Sequence, residues 1–284
     1  MSLKQPVQYP VKYYSHADVD APQLANADGV IKTILKACLV TGYGDQQGAG
    51  WESLFEDDYR IVLRRPLRTG NPPDIKIENG VINGTASHRI VSQDDPTGID
   101  NTVELASVNL LARDSAHGSE WHLIVSDFGF VLCYQMGIRY SGLRNSLLYV
   151  GSAVQVSDTN DKFYATKYES VKIDGTTPSN PEGFFGDNSE IVELRTGMSK
   201  GMSGSELITL SVDEDYFGSD YTAQQPFLPT LDLLPFFASV TKNYEDLVTK
   251  SISVQNRQML RYVNEDRQPN SSRPLYIPLD YWEL

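Results

Sequence analysis

Basic residues are few in this chain: 24 Lys and Arg stand against 37 Asp and Glu, for a formal charge of -13 and a pI near 4.7. Proteins that grip phosphate backbones need clustered Lys and Arg to release counterions, so nucleic acid is excluded as a direct partner. Cysteine is scarcer still. Cys38 and Cys133 are the only two, one in a helical stripe and one in an apolar strand, and both read as small buried hydrophobes rather than as a disulfide. No apolar run approaches the roughly 20 residues of a membrane-spanning helix, and the residues around Lys4 lack the apolar core of a signal peptide. The expectation is a protein that is made and stays in water, without a membrane partner. Histidine, the commonest base and metal ligand, occurs only at positions 16, 88, 117 and 122.

What is present suffices for a core. In 284 residues, 40% hydrophobic content can pack one large or two moderate domains. The clearest local signal lies between Asp20 and Trp51. Ile31, Ile34, Leu35, Cys38 and Leu39 fall at i, i+3, i+4, i+7 and i+8, which predicts a helix with one buried stripe. Asn26 or Asp28 is placed to cap its start, and Gly42 suits a left-handed residue at its end. Gly42, Gly44, Gly48 and Gly50 then form a loop that permits close backbone approach, to a ligand or to another part of the chain. No Gly-Lys-Ser/Thr follows, and the loop follows a helix rather than a strand. Both phosphate-loop and dinucleotide readings therefore fail, and a structural turn is expected.

Residues 1–19 precede any periodic segment and read as an extended arm whose Tyr9, Tyr13 and Tyr14 could dock on a neighbour. Beyond the helix, Tyr59 to Arg65 alternates as a strand, and Asn79-Gly80 between apolar pairs predicts a tight hairpin. From Glu120 to Met136, apolar runs flank Asp127-Phe128-Gly129, which predicts a hairpin through the core. Further strands are expected at Leu147 to Val156, at Lys162 to Ile173, at Glu190 to Arg195 and Leu207 to Val212, which close round a glycine-serine loop, and at Ile252 to Val263 and Leu275 to Leu279. The fold class is accordingly mainly β (α+β): an antiparallel sheet core with one N-terminal amphipathic helix and long loops. Residues 20–284 form a single globular domain after the arm, with 174–188 as the place where a subdivision would fall.

Candidate chemistry is thin. Gly197-Met198-Ser199-Lys200-Gly201 matches the glycine-x-serine-x-glycine elbow of serine hydrolases, but a strand follows where a helix is required, and every histidine precedes Ser199 instead of following it. His117, Glu120 and His122 with Asp127 could be gathered round a metal. On a strand Glu120 and His122 would share a face, yet His117 lies in a polar loop and no paired spacing recurs. No catalytic residue, cofactor or metal ligand is assigned.

Asp20-Ala-Pro-x-Leu, then Ile34-Leu35-Lys36-Ala37-Cys38-Leu39-Val40-x-Gly42-Tyr43-Gly44 and Gly50-Trp51, resembles the opening of a family of virion-associated proteins of tailed bacteriophages. The Trp121 to Tyr134 segment is similar to that family's tryptophan-led strand pair. Leu148 to Val154 stands where the family tends to carry an aromatic-Gly-Asp segment, with Ser152 in place of the aspartate. The resemblance implies a structural part of the virion, in neck, tail or baseplate, made in the host cytoplasm and not an enzyme. Its expected partners are other phage virion proteins and further copies of itself. Two other readings are a capsid decoration or cement protein and a virion-associated hydrolase or glycan-binding module using Ser199 or exposed aromatics. Tyr9, Tyr13, Tyr14 and Trp282 are the interface candidates, because aromatics are enriched in interface cores. The competing reading packs them on the protein's own sheet.

Overall fold

The computed structural model describes residues 7–25, 27–67, 71–82, 85–110, 120–139, 142–152, 154–155, 163–169, 189–196, 199–201, 208–211, 222–225, 232–233, 235, 237–239, 249–254, 256–262 and 275–283. Its helix is short. The apolar stripe forms α1 (Val30–Lys36), which runs on as a π-helical turn over Ala37–Thr41. All five stripe residues are buried; at about 1.5–3 kcal/mol for each large side chain removed from water, that stripe holds the element in place. The start of α1 differs from expectation. Gly29, in left-handed conformation at φ 72°, stands at the cap position with no side-chain cap, and its amide donates instead to Asn79 Oδ1 across 3.2 Å. Asp28 is not the cap residue, because a distant side chain supplies the acceptor, and Asn26 lies outside the described residues.

The helix end explains the glycines. The loop after Thr41 folds back so that the amides of Ala49 and Trp51 donate to the carbonyls of Cys38 and Leu39, at 2.9 and 3.0 Å. Those carbonyls would otherwise be orphaned at a buried helix end. Gly48 lies so close that a Cβ there would overlap the carbonyl of Val40, and Gly42 at φ 80° presses on the carbonyl of Gln46. The loop is a cap made of backbone, as its lack of a phosphate-binding lysine implies.

The strands in chain order are β1 (Gln8–Pro10), β2 (Lys12–Ser15), β3 (Glu52–Glu56), β4 (Ile61–Arg64), β5 (Asp74–Ile82), β6 (Thr85–Asp94), β7 (Val103–Leu110) and β8 (Trp121–Ser126). There follow β9 (Gly129–Arg139), β10 (Gly142–Ser152), β11 (Val154–Gln155), β12 (Phe163–Glu169), β13 (Ser189–Glu193), β14 (Ser199–Gly201) and β15 (Ile208–Ser211). The last are β16 (Thr222–Gln225), β17 (Asp232–Leu233), β18 (Phe237–Ser239), β19 (Lys250–Val254), β20 (Arg257–Tyr262), β21 (Leu275–Pro278) and β22 (Tyr281–Glu283). The protein is mainly β, and the strand pairs among the described residues are all antiparallel.

Three sheets hold most of the described strands: β3-β4-β5-β6-β7, then β14-β13-β12-β10-β9-β8-β2, and β15-β16-β18-β21-β20-β19. The seven-stranded sheet is the middle of the molecule. One apolar cluster joins Trp121, Leu123, Val125, Phe130 and Leu132 to α1, Trp51 and the inner residues of β4, β5 and β6. A second joins Ile124, Val131, Cys133 and Tyr149, on the other face, to β20, β21 and Trp282. Alternate residues of β8 and β9 thus enter different clusters, as the two-residue period of a strand requires. Burial on both faces is why these strands are nearly continuously apolar.

Two expectations about turns change. Asn79-Gly80 does not turn; β5 continues through it, pairing Asn79 with His88 and reaching Ile82 opposite Thr85. A tight turn needs Asn79 at positive φ, which it does not adopt, and the longer ladder keeps more backbone groups paired. The chain reverses after Ile82. Likewise β13 and β15, expected to close round one loop, belong to different sheets. The hairpin at Asp127-Phe128 forms as expected, with Ser126 opposite Gly129.

Residues 8–15 are built into this architecture. β1 pairs with β22, placing Tyr9 opposite Trp282, and β2 forms an edge of the seven-stranded sheet against β8. An arm free to reach elsewhere would leave both ladders unmade. We predict that Gly48→Ala lowers the thermal stability of the protein by at least about 2 kcal/mol through backbone overlap. Gly50→Ala, where a Cβ meets nothing within 4 Å, carries only the smaller strain of its positive φ. Melting curves that rank Gly50→Ala as the worse of the two would contradict the capping role of Gly48.

Candidate functional site

The β2–β8 ladder gathers two histidines and a glutamate. Ser15 pairs with His122, so His16 follows directly and its amide donates to the Trp121 carbonyl at 3.0 Å. Glu120 precedes β8 two residues before His122 and therefore lies to the same side. The His16 and His122 rings meet edge to face, their centroids 5.5 Å apart. One ligand atom from each of His16, Glu120 and His122 lies within 4.8 Å of the other two.

His122 is the buried member, only 6% exposed. The Tyr13 hydroxyl and His122 Nδ1 share a hydrogen bond of 2.8 Å, and their rings stack at 6.0 Å with 13° between planes. Tyr262 closes the other side edge-on at 6.2 Å. Nε2 of His122 has no hydrogen-bond partner among the described residues. Burial, helped by the neighbouring His16, pushes the imidazole pKa down to about 4, with Asp18 acting weakly the other way. The ring is therefore neutral near pH 7. Burial also pushes the Tyr13 hydroxyl up to about 12, so it keeps its proton. Asp18 is occupied nearby, its Oδ2 accepting from the Ser15 amide at 2.9 Å and from Tyr43 Oη at 2.8 Å.

A neutral imidazole, a second histidine and a carboxylate are the donor types that hold zinc or ferrous iron. The sequence pairs Glu120 with His122 through strand alternation but has no local signal for His16, over a hundred residues away. Of the other two residues considered with them, Asp127 does not join. Asp127 is exposed in the turn at the far end of β8, about 20 Å along a six-residue strand, and His117 lies outside the described residues.

Ser199 opens β14 and pairs with Val192, so it lies in a ladder rather than on a strand-to-helix elbow; Gly197 and Met198 lie outside the described residues. Cys38 and Cys133 are free and buried, and burial raises both thiols above their ordinary pKa. Neither carries thiolate chemistry at neutral pH.

The four interface candidates are held within the chain itself. Tyr14 is 1% exposed and donates to the Gln47 carbonyl at 2.6 Å. Trp282 is likewise 1% exposed, donates to the Pro278 carbonyl at 3.2 Å and lies against Phe128 and Tyr149. Tyr9 and Tyr13 are half-buried, Tyr9 edge-on to Phe128 at 5.4 Å and Tyr13 on His122 as above. Tyr14 and Trp282 therefore have no surface left for a neighbour, because internal pairing already removes them from water.

Ser152 also acquires a role. It is buried beside Arg65, whose Nη1 donates to Ser152 Oγ at 2.5 Å and to the Phe128 carbonyl at 3.0 Å. The guanidinium also stands over the Phe163 ring at 4.9 Å. A hydroxyl suffices here because the cation is shared among several acceptors.

These features define a mainly β protein whose central sheet is covered on both faces, with a histidine–glutamate cluster at one sheet edge. Comparison with protein-family models, curated proteins and solved structures found no match to this chain.

Ser152→Ala removes an acceptor from a buried cation and is expected to cost about 1.5–3 kcal/mol in a chemical denaturation midpoint. An unchanged midpoint would show that the Arg65 bond to Ser152 contributes nothing net.

Proposed function

We propose that this chain is a structural component of a tailed-phage virion, in neck, tail or baseplate, working by self-assembly and by docking to neighbouring virion proteins. The observation that supports it most is what becomes of the Asp20–Trp51 segment, which carries the family resemblance. Pro22 accepts the Trp121 indole N–H at 2.9 Å, Leu24 and the helix stripe are buried in the core, and Trp51 meets Phe130 edge-on at 5.6 Å. The glycine loop is spent on capping. A segment whose large apolar residues go into packing is what a scaffold requires.

Assembly contacts then fall on surfaces other than Tyr14 and Trp282. Open sheet edges are the natural docking elements of such a fold, since their unpaired amides and carbonyls accept a further strand. Among the described strands, β3 and β7 are the edges of the five-stranded sheet.

Two measurements on the full chain test the proposal. Light scattering and electron microscopy of the purified protein are expected to show a closed ring of on the order of six or twelve copies. Quantitative mass spectrometry of purified particles is expected to find the same copy number. A monomer at every concentration together with absence from the particle would overturn it, and hundreds of copies per particle would favour the capsid decoration reading.

A further inference from the structure

We propose that His16, Glu120 and His122 bind one divalent transition-metal ion, of which zinc is the natural case, and that the ion staples the edge strand β2 to its neighbour β8. The three ligand atoms already converge within 4.8 Å of one another. Tetrahedral coordination at bond lengths of about 2.0–2.2 Å places ligand atoms about 3.3 Å apart, so the side chains close in by at most about 1.5 Å. Rotation about χ angles accomplishes that without moving the ladder.

His122 is set up for the task. Its Nδ1 is engaged by the Tyr13 hydroxyl, the arrangement by which a partner on one imidazole nitrogen orients the other towards a metal. The remaining Nε2 is buried and has no hydrogen-bond partner among the described residues, an unfavourable state that an ion removes. His16 is placed by the backbone, its amide bonded to the Trp121 carbonyl, and Glu120 brings the negative charge that imidazole ligands lack. Two histidines and one carboxylate leave a fourth position for water.

The ion would join positions 16 and 122 across a long stretch of chain. Because an ion that binds the folded state alone stabilises it by mass action, the ladder on which Tyr14 and the helix cap depend becomes metal-dependent in strength.

The test uses the purified full chain after chelator treatment, titrated with zinc alone and separately with cobalt(II) as a spectroscopic probe. One ion per chain is expected, with a zinc-dependent rise in melting temperature and a cobalt spectrum of low-symmetry nitrogen and oxygen coordination. Glu120→Gln and His16→Asn replace half-buried side chains near the surface and are expected to weaken zinc binding at least about tenfold while leaving the chelator-treated melting temperature within a degree or so of wild type. Tyr13→Phe, which keeps the ring and removes the orienting hydroxyl, is expected to weaken binding by a smaller factor. Absence of zinc binding by the wild type overturns the proposal. So does equal affinity in wild type, Glu120→Gln and His16→Asn, which would place the ion among surface carboxylates elsewhere.

Discussion

The pairing of Lys12–Ser15 with His122–Val125 is the contact on which the rest of the structure leans. On one face of that ladder, Lys12 and Tyr14 reach over to the Gly48 and Gln47 carbonyls at 2.8 and 2.6 Å. They hold the glycine loop in the position from which its amides cap the helix. On the other face, the same ladder lays Tyr13 on His122 and delivers His16 to its edge. Removing the four residues of β2 would thus unfasten the helix end and disperse the polar cluster together, although neither belongs to β2 itself.

Cover on both faces of the central sheet sets the second constraint. A sheet buried twice has no polar side to give to water, so each polar group on it needs a partner inside the protein. Arg65 finds the Phe128 carbonyl, Ser152 and the Phe163 ring. Ser92 of β6 bonds to the carbonyls of Ala106 and Leu194 and receives the Ala106 amide, tying the five-stranded sheet to the strand end after β13. Tyr149 donates to the Ser152 carbonyl in the same way. The Arg65 and Ser92 bonds locate the sheets relative to one another more sharply than apolar contact does, because a hydrogen bond tolerates little sliding.

The charge distribution follows the same division. Ion pairs sit at the rims: Lys36 with Glu56, Arg60 with Asp57, Arg64 with Asp74, Arg257 with Asp280. Of these only Asp74 is deeply buried, and its pairing with Arg64 is bidentate. That is the geometry that recovers most of the desolvation cost of a buried carboxylate. The exposed pairs contribute little each.

What the sequence determined by itself is what short-range periodicity can carry. The stripe Ile31 to Leu39, the hairpin through Asp127-Phe128, the mainly β antiparallel class and the buried state of both cysteines were all legible. Each depends on residues within a turn or a strand of one another. Only tertiary structure decided the cap supplied to Gly29 by Asn79, the ladder running through Asn79-Gly80, the burial of Tyr14 and Trp282, and the meeting of His16 with Glu120 and His122. At Asn79-Gly80 a local turn signal competed with the ladder, and the longer ladder prevailed because it pairs more backbone. In the last two the partners lie far apart along the chain. Nothing in a linear sequence marks which distant strand an edge will join, because that choice is made by which apolar faces must be covered, and it is settled for the whole sheet at once.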